Sequence, residues 1–156
     1  MRKLEGSGLR ALRSASKKLK VVLDTKPLIK LFAGEEGWEV VKEIPSRVEA
    51  GVSVVTLTEV YYKYLQEERL DLAVARTGQL KHALYLKKLV IDEGVAVKAE
   101  EFKGRYNVSI ADAFIAASAY YENATIISDD PDFKKILEIK VLTETELYHK
   151  LCAGAP

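Results

Sequence analysis

The sequence predicts an α/β domain built on a parallel sheet with helices on both faces, and three observations lead there. Short apolar runs rich in β-branched residues recur at 21–23, 52–56, 90–91, 125–128 and 140–142, and such runs suit strands buried on both sides. Stretches with apolar residues at helical spacing separate them. Parallel strands need such crossovers, which are right-handed. The length of 156 residues, with 48% hydrophobic and 30% charged side chains, matches one globular core and argues against disorder.

The elements follow in order. Val21, Val22 and Leu23 make the first strand, which ends at Asp24. Pro27 fits a first helical turn, and Leu28, Ile29, Leu31 and Phe32 continue a short helix closing near Gly34. A second helix is expected over 35–50, with Trp38, Val41, Ile44 and Val48 at helical spacing, a kink at Pro45 and an end at Gly51. Residues 52–56 read as the second strand, and Thr58 as the cap of a helix carrying Glu59, Tyr61, Tyr62 and Leu65. A helix over 70–89 with a soft point at Gly78 precedes a third strand at Val90 and Ile91. A helix over 93–103 ends in a turn at Gly104 and Asn107, and Ser109 caps an alanine-rich helix over 110–121. The fourth strand covers 125–128, a short helix 133–137, the fifth strand 140–142 and a closing helix 144–151.

Charge divides the chain. Residues 1–20 hold seven basic side chains (Arg2, Lys3, Arg10, Arg13, Lys17, Lys18 and Lys20) against Glu5, a balance of +6, so the remainder carries −5 of the overall +1. Residues 1–19 are therefore read as a basic leader and 20–156 as the domain proper. The leader is expected to be a solvated tail, the alternative being an electrostatic hook for phosphates. No apolar run approaches the ~20 residues needed to cross a bilayer, so a membrane partner is not expected. Cys152 stands alone, which excludes an internal disulfide framework and a cysteine-built zinc site and fits a cytoplasmic protein.

Four acidic residues occupy positions that this architecture brings together. Asp24 ends the first strand, Glu59 follows the second, Asp112 lies in the first turn of a helix, and Asp130 follows the fourth strand. In open parallel sheets the carboxyl ends of the strands line the ligand crevice. Asp112 is the most telling, being one charge among Ile110, Ala111, Ala113, Phe114, Ile115, Ala116 and Ala117. Charges in apolar settings are rare unless paired or bound to metal. Asp24 alone could be a turn or cap residue, Glu59 alone a response to the helix dipole, and Asp129, Asp130 and Asp132 could all be turn residues around Pro131. Carboxylates gathered in one crevice repel unless a cation is present. Oxygen ligands without His or Cys favour Mg²⁺ or Mn²⁺, a combination suited to phosphodiester hydrolysis.

These stretches, Val22 to Thr25, Thr56 to Glu59, Ser109 to Ala117 and Ile127 to Phe133, resemble in order and spacing the four acidic motifs of the PIN-domain family. They are most similar to its VapC-type toxin ribonucleases, over about residues 20–148. The resemblance implies a three-layer αβα sandwich with a central parallel sheet of four to five strands and a homodimer. It implies a metal-dependent endoribonuclease acting on RNA, with Asp24, Glu59, Asp112 and Asp130 as catalytic and metal-binding carboxylates, and Thr25 or Ser128 supporting them. It further implies the toxin role in a VapBC-type toxin-antitoxin system, with a cognate antitoxin as partner. Two features depart from the family pattern: Lys26 and Pro27 follow Asp24 and Thr25 where a small polar residue is usual, and the basic leader is extra. Lys26 is expected to be solvated.

Other readings fit less well. A haloacid-dehalogenase-type phosphatase would place an Asp where Lys26 stands, and a receiver domain does not suit Glu59 or the helix around Asp112. A catalytically silent PIN-like module that binds RNA or protein is the alternative in another class. His82 and His149 fall in helical stretches away from strand ends and are read as surface or structural residues. Tyr61, Tyr62, Tyr64, Tyr120 and Tyr121 are read as core or dimer-face residues rather than a base-stacking platform.

Overall fold

The computed structural model describes residues 18–33 and 47–153. Five parallel strands alternate with helices: β1 (Lys20–Leu23), α1 (Thr25–Ala33), β2 (Glu49–Ser53), α2 (Val54–Gln66), α3 (Leu70–His82), β3 (Leu86–Leu89), α4 (Glu93–Tyr106), α5 (Ile110–Glu122), β4 (Thr125–Ile127), a 3₁₀ turn (Pro131–Lys135), β5 (Val141–Leu142) and α6 (Glu144–Ala153). The sheet order is β3-β2-β1-β4-β5, all parallel.

Alternation along each strand creates two cores, because successive side chains leave opposite faces of a sheet. Val21 and Leu23 of β1 point with Ile127 of β4 into one core, shared with Leu28 of α1, Val60 of α2, Leu80 of α3 and Leu147 of α6. Val22 and Ile126 point into the other, shared with Phe102 of α4, Ile115 and Ala116 of α5, and Phe133. The result is a three-layer αβα sandwich. The small residues Ala113, Ala116, Ala117 and Ala119 are fully buried, so α5 lies close against its neighbours.

β1 is central, and the chain leaves it towards β2 on one side and returns as β4 on the other. That reversal is the topological switch point, where open α/β sheets form their crevice. β1 and β4 end flush: Leu23 pairs with Ile127, and the Asp24 amide donates to the Ile127 carbonyl at 3.1 Å.

Several boundaries differ from the sequence expectation. The helix expected over 35–50 falls largely outside the described residues, but its end does not: Ala50 and Gly51 belong to β2. A Cβ on Gly51 would sit 3.3 Å from Leu89 Cδ1 and 3.4 Å from the Lys87 carbonyl, so glycine admits β3 alongside. Residues 54–56, expected in a strand, open α2 instead. The Ser53 hydroxyl accepts from the Val55 amide at 3.3 Å, and this cap outweighs the strand preference of the two valines. The expected helix over 70–89 stops at His82, and its last four residues are β3, in place of Val90 and Ile91. Leu86 and Leu89 are buried, whereas Val90 is 68% exposed, so burial selects the earlier register. Gly104 stays inside α4, and Asn107 alone makes the left-handed cap with φ 54°. Residues 131–135 wind as a 3₁₀ turn, shifted from the helix expected over 133–137, because Asp130 caps it and Pro131 starts it.

Candidate active site

The crevice at the carboxyl edge of the sheet is lined by Asp24, Glu59, Asp112 and Asp130, together with Thr25, Lys26, Ile29, Lys30 and Lys63. Each acid arrives by a different local device. Asp24 is the residue after β1, and its backbone is held by β4. Glu59 projects from the second turn of α2, whose start the Ser53 cap fixes. Asp112 is in the first turn of α5, whose N-cap, Ser109, accepts from the Asp112 amide at 3.1 Å. Asp130 caps the 3₁₀ turn and accepts from the Asp132 amide at 2.9 Å.

Hydroxyls orient two of these carboxylates. The buried Ser128 Oγ donates to Asp24 Oδ2 at 2.7 Å and accepts from the Asp130 amide at 3.0 Å, so one side chain ties two acids together. The Thr25 amide donates to Asp24 Oδ1 at 2.7 Å, and Thr25 Oγ1 donates to Glu59 Oε1 at 2.8 Å. Asp24 is 7% exposed, and a carboxylate so placed needs these donors.

The electrostatics record the crowding. Burial pushes the Asp24 carboxyl above its ordinary pKa, opposed by the Ser128 and Thr25 hydrogen bonds; Asp130 raises it further and Lys26 lowers it. Glu59 is raised by burial and by Asp24, against the Thr25 hydroxyl. Asp112 is pushed up to about 6, by burial first and then by the charges of Asp130 and Asp24, with Ser109 lowering it and Glu59 adding to the rise.

Asp132, which in the sequence could be a turn residue around Pro131, joins the group. Asp112, Asp130 and Asp132 each offer a carboxylate oxygen, and these atoms all lie within 4.8 Å of one another. Asp129 turns aside, with Oδ2 4.0 Å from Lys30 Nζ. Lys30 itself donates to Glu144 Oε2 at 3.2 Å. Sequence reasoning passed over Lys30, Lys63 and Glu144. Lys30 lies four residues after Lys26 and Lys63 four after Glu59, a spacing that puts each pair on one helix face; nothing local marks Glu144. Lys26 is exposed at the crevice rim, and His82 and His149 are exposed residues that do not line it. Among the described residues no helix is long and apolar enough to cross a membrane.

Known proteins share this fold. A model of the PIN domain matches residues 21–138. The chain is 32% identical over 100 residues to Ribonuclease VapC4 of Mycobacterium tuberculosis, a span covering 61% of this chain and 77% of that protein. The fold matches VapBC2 from Rickettsia felis bound to a promoter DNA fragment, with a TM-score of 0.66, 14% identity, and coverage of 80% of this chain and 98% of that one. It also matches DNA-bound VapBC from Salmonella typhimurium, with a TM-score of 0.66, 20% identity, and coverage of 81% and 98%. A third match is Mycobacterium tuberculosis VapC20, described as a sarcin-ricin loop cleaving toxin, with a TM-score of 0.62, 18% identity, and coverage of 73% and 92%.

Proposed function

We propose, since the chain belongs to the PIN-domain family, that it is a metal-dependent endoribonuclease and the toxin of a VapBC-type toxin-antitoxin pair. The observation that carries this reading is the convergence of Asp24, Glu59, Asp112 and Asp130 in one crevice at the sheet's switch point. Identity to Ribonuclease VapC4 supports RNA as the substrate, and the VapBC assemblies of the same fold support a cognate antitoxin that silences the site. A homodimer acting in the cytoplasm, with residues 20–156 as the catalytic domain behind a basic leader at 1–19, completes the reading.

The donor set fits a hard divalent cation. It consists of carboxylate oxygens alone, three of them within 4.8 Å of one another, and this suits Mg²⁺ or Mn²⁺ rather than zinc. The rise of Asp112 to about 6 comes first from burial and then from the negative charges of Asp130 and Asp24, which such an ion would offset. When bound, the cation supplies charge neutralisation at the phosphate and a lowered pKa for an attacking water. Asp24, Glu59, Asp112 and Asp130 would hold it, with Asp132 as a further ligand. Ser128 and Thr25 fix the carboxylates of Asp24 and Glu59 before substrate arrives, which limits reorganisation during reaction.

The test is cleavage of labelled single-stranded and structured RNAs with Mg²⁺, with Mn²⁺ and with excess chelator, beside Asp112→Asn. Cleavage that requires metal and is lost in the variant supports the reading. Equal inertness of both proteins, with RNA or protein binding intact, would replace it with a silent binding module.

A further inference from the structure

The crevice holds three lysines as well as its acids, and the ribonuclease reading leaves them without a role. Lys26 and Lys30 lie four residues apart on α1, and Lys63 faces them from α2. Positions i and i+4 share a helix face about 6 Å apart along the axis, a separation comparable with that of neighbouring phosphates along an extended strand. Lys26 is exposed. Among the described residues Lys63 forms an exposed pair with Glu67, at 3.2 Å, of the kind that contributes little and exchanges readily.

Lys30 is held differently. Its Nζ lies 3.2 Å from Glu144 Oε2 and 4.0 Å from Asp129 Oδ2. Glu144, the first residue of α6, is 7% exposed, and its Oε1 is buried without a hydrogen-bond partner among the described residues. A buried carboxylate retained with one oxygen unsatisfied is costly. Its visible effect is to anchor the Lys30 ammonium at the crevice wall, on the side where the loop after β4 delivers Asp130.

We propose that Lys26 and Lys30 form a phosphate track along α1 that seats the RNA backbone beside the acidic cluster, with Glu144 as the positioning residue that fixes Lys30 and Lys63 closing the far side. This rests on the ribonuclease reading for its substrate, and it specifies how a crevice rich in carboxylates binds a polyanion at all. The acids take the cation, and the lysines take the flanking phosphates. The track reads backbone and not base, so it adds affinity without sequence preference.

The experiment measures binding of oligouridylate to the full chain with Ca²⁺, across a range of salt, for the parent protein and the Lys26→Met, Lys30→Met, Lys30→Arg and Lys140→Met variants. Lys140 immediately precedes β5, at the opposite edge of the sheet, and serves as the control. Lys26→Met and Lys30→Met should each weaken binding several-fold and reduce the slope of log K against log salt by about 0.7, the value for one phosphate on a single strand. Lys30→Arg should restore the slope, and Lys140→Met should match the parent. Cleavage in Mn²⁺, followed in parallel, should show raised KM with kcat little changed for Lys26→Met. Unchanged slopes in Lys26→Met and Lys30→Met, with parental cleavage intact, overturn the track and leave the ribonuclease reading standing. Lysine-dependent slopes in a parent that does not cleave support the track and overturn the ribonuclease reading instead.

Discussion

Replacing Asp112 by Asn should stabilise the metal-free protein, although it removes a residue the account places at the centre of the site. Burial and the charges of Asp130 and Asp24 raise this carboxyl from 3.8 to about 6. At about 1.36 kcal/mol per pKa unit, that rise sets an upper bound of about 3 kcal/mol on the strain of ionising it in the folded state. Asp112 is only half-buried, and solvent screening brings the figure to about 1 to 1.5 kcal/mol. Asn also forfeits a favourable charge in the first turn of α5, about 0.5 kcal/mol. The net gain is about 1 kcal/mol, or roughly 2 to 4 °C in Tm for a chain of this size. The pH dependence has a definite sign. An acid whose folded pKa lies above its unfolded one binds its proton more tightly in the native state, so the parent loses stability as pH rises from about 4 to 6 and carries the full penalty above 6. The advantage of Asp112→Asn should therefore be complete at pH 7.5 and smaller at pH 5. Urea denaturation of chelator-treated protein at both values measures it. Saturating Mg²⁺ should then reverse the order, since an ion bound at 100 times its Kd adds about 2.7 kcal/mol to the parent alone. A variant that is less stable than the parent at pH 7.5 without metal would refute the charge-crowding argument.

Other perturbations probe the supports of the site. Ser128→Ala removes the hydroxyl that bridges Asp24 and the Asp130 amide; about 1 to 3 kcal/mol of stability should go with it, and Mn²⁺ affinity should fall at least about ten-fold by calorimetry. Asp132→Asn should weaken Mn²⁺ binding by a similar factor, whereas Asp129→Asn, whose carboxylate faces Lys30, should leave it within about two-fold; equal effects of the two would contradict the placement of Asp132 beside Asp112 and Asp130. Phe133→Ala empties a fully buried position behind the loop that carries Asp130 and Asp132 and should cost about 3 to 5 kcal/mol in chemical denaturation.

The sequence carries the layered fold because β-branched runs and helical periods alternate, and Val21, Val22 and Leu23 already contain the two-faced burial that the sheet realises. The convergence of Asp24, Glu59, Asp112 and Asp130 was legible for a related reason: Asp24, Asp112 and Asp130 stand beside a strand end or helix start, Glu59 lies in the second turn of the helix that follows β2, and parallel topology sends those ends to one edge. Boundaries were less legible where two local preferences compete. Val54 and Val55 prefer strands, but the Ser53 cap begins a helix there. Leu86 to Leu89 continues a helical composition, and only pairing with β2 makes it a strand. Asp132 hid among turn residues, since its approach to Asp112 depends on the 3₁₀ path of the loop. The tie between Lys30 and Glu144 spans 114 positions, a separation at which only the packing of α6 brings the two residues together.

The central claim, that this acidic crevice hydrolyses RNA with water as nucleophile and a divalent ion as cofactor, is tested most directly by the ends of the cleavage products. The neighbouring side chains are carboxylates, hydroxyls and lysines, with no histidine among those that line the crevice, so attack by water should leave one 5′-phosphate and one 3′-hydroxyl per cut. Cleavage of end-labelled RNA by the full chain in Mn²⁺, with the fragments assayed for 5′-phosphate, should show that pattern, and a 2′-deoxy substitution at the cut should leave the rate nearly unchanged. Fragments ending in 2′,3′-cyclic phosphate, formed equally well in chelator, would contradict the account.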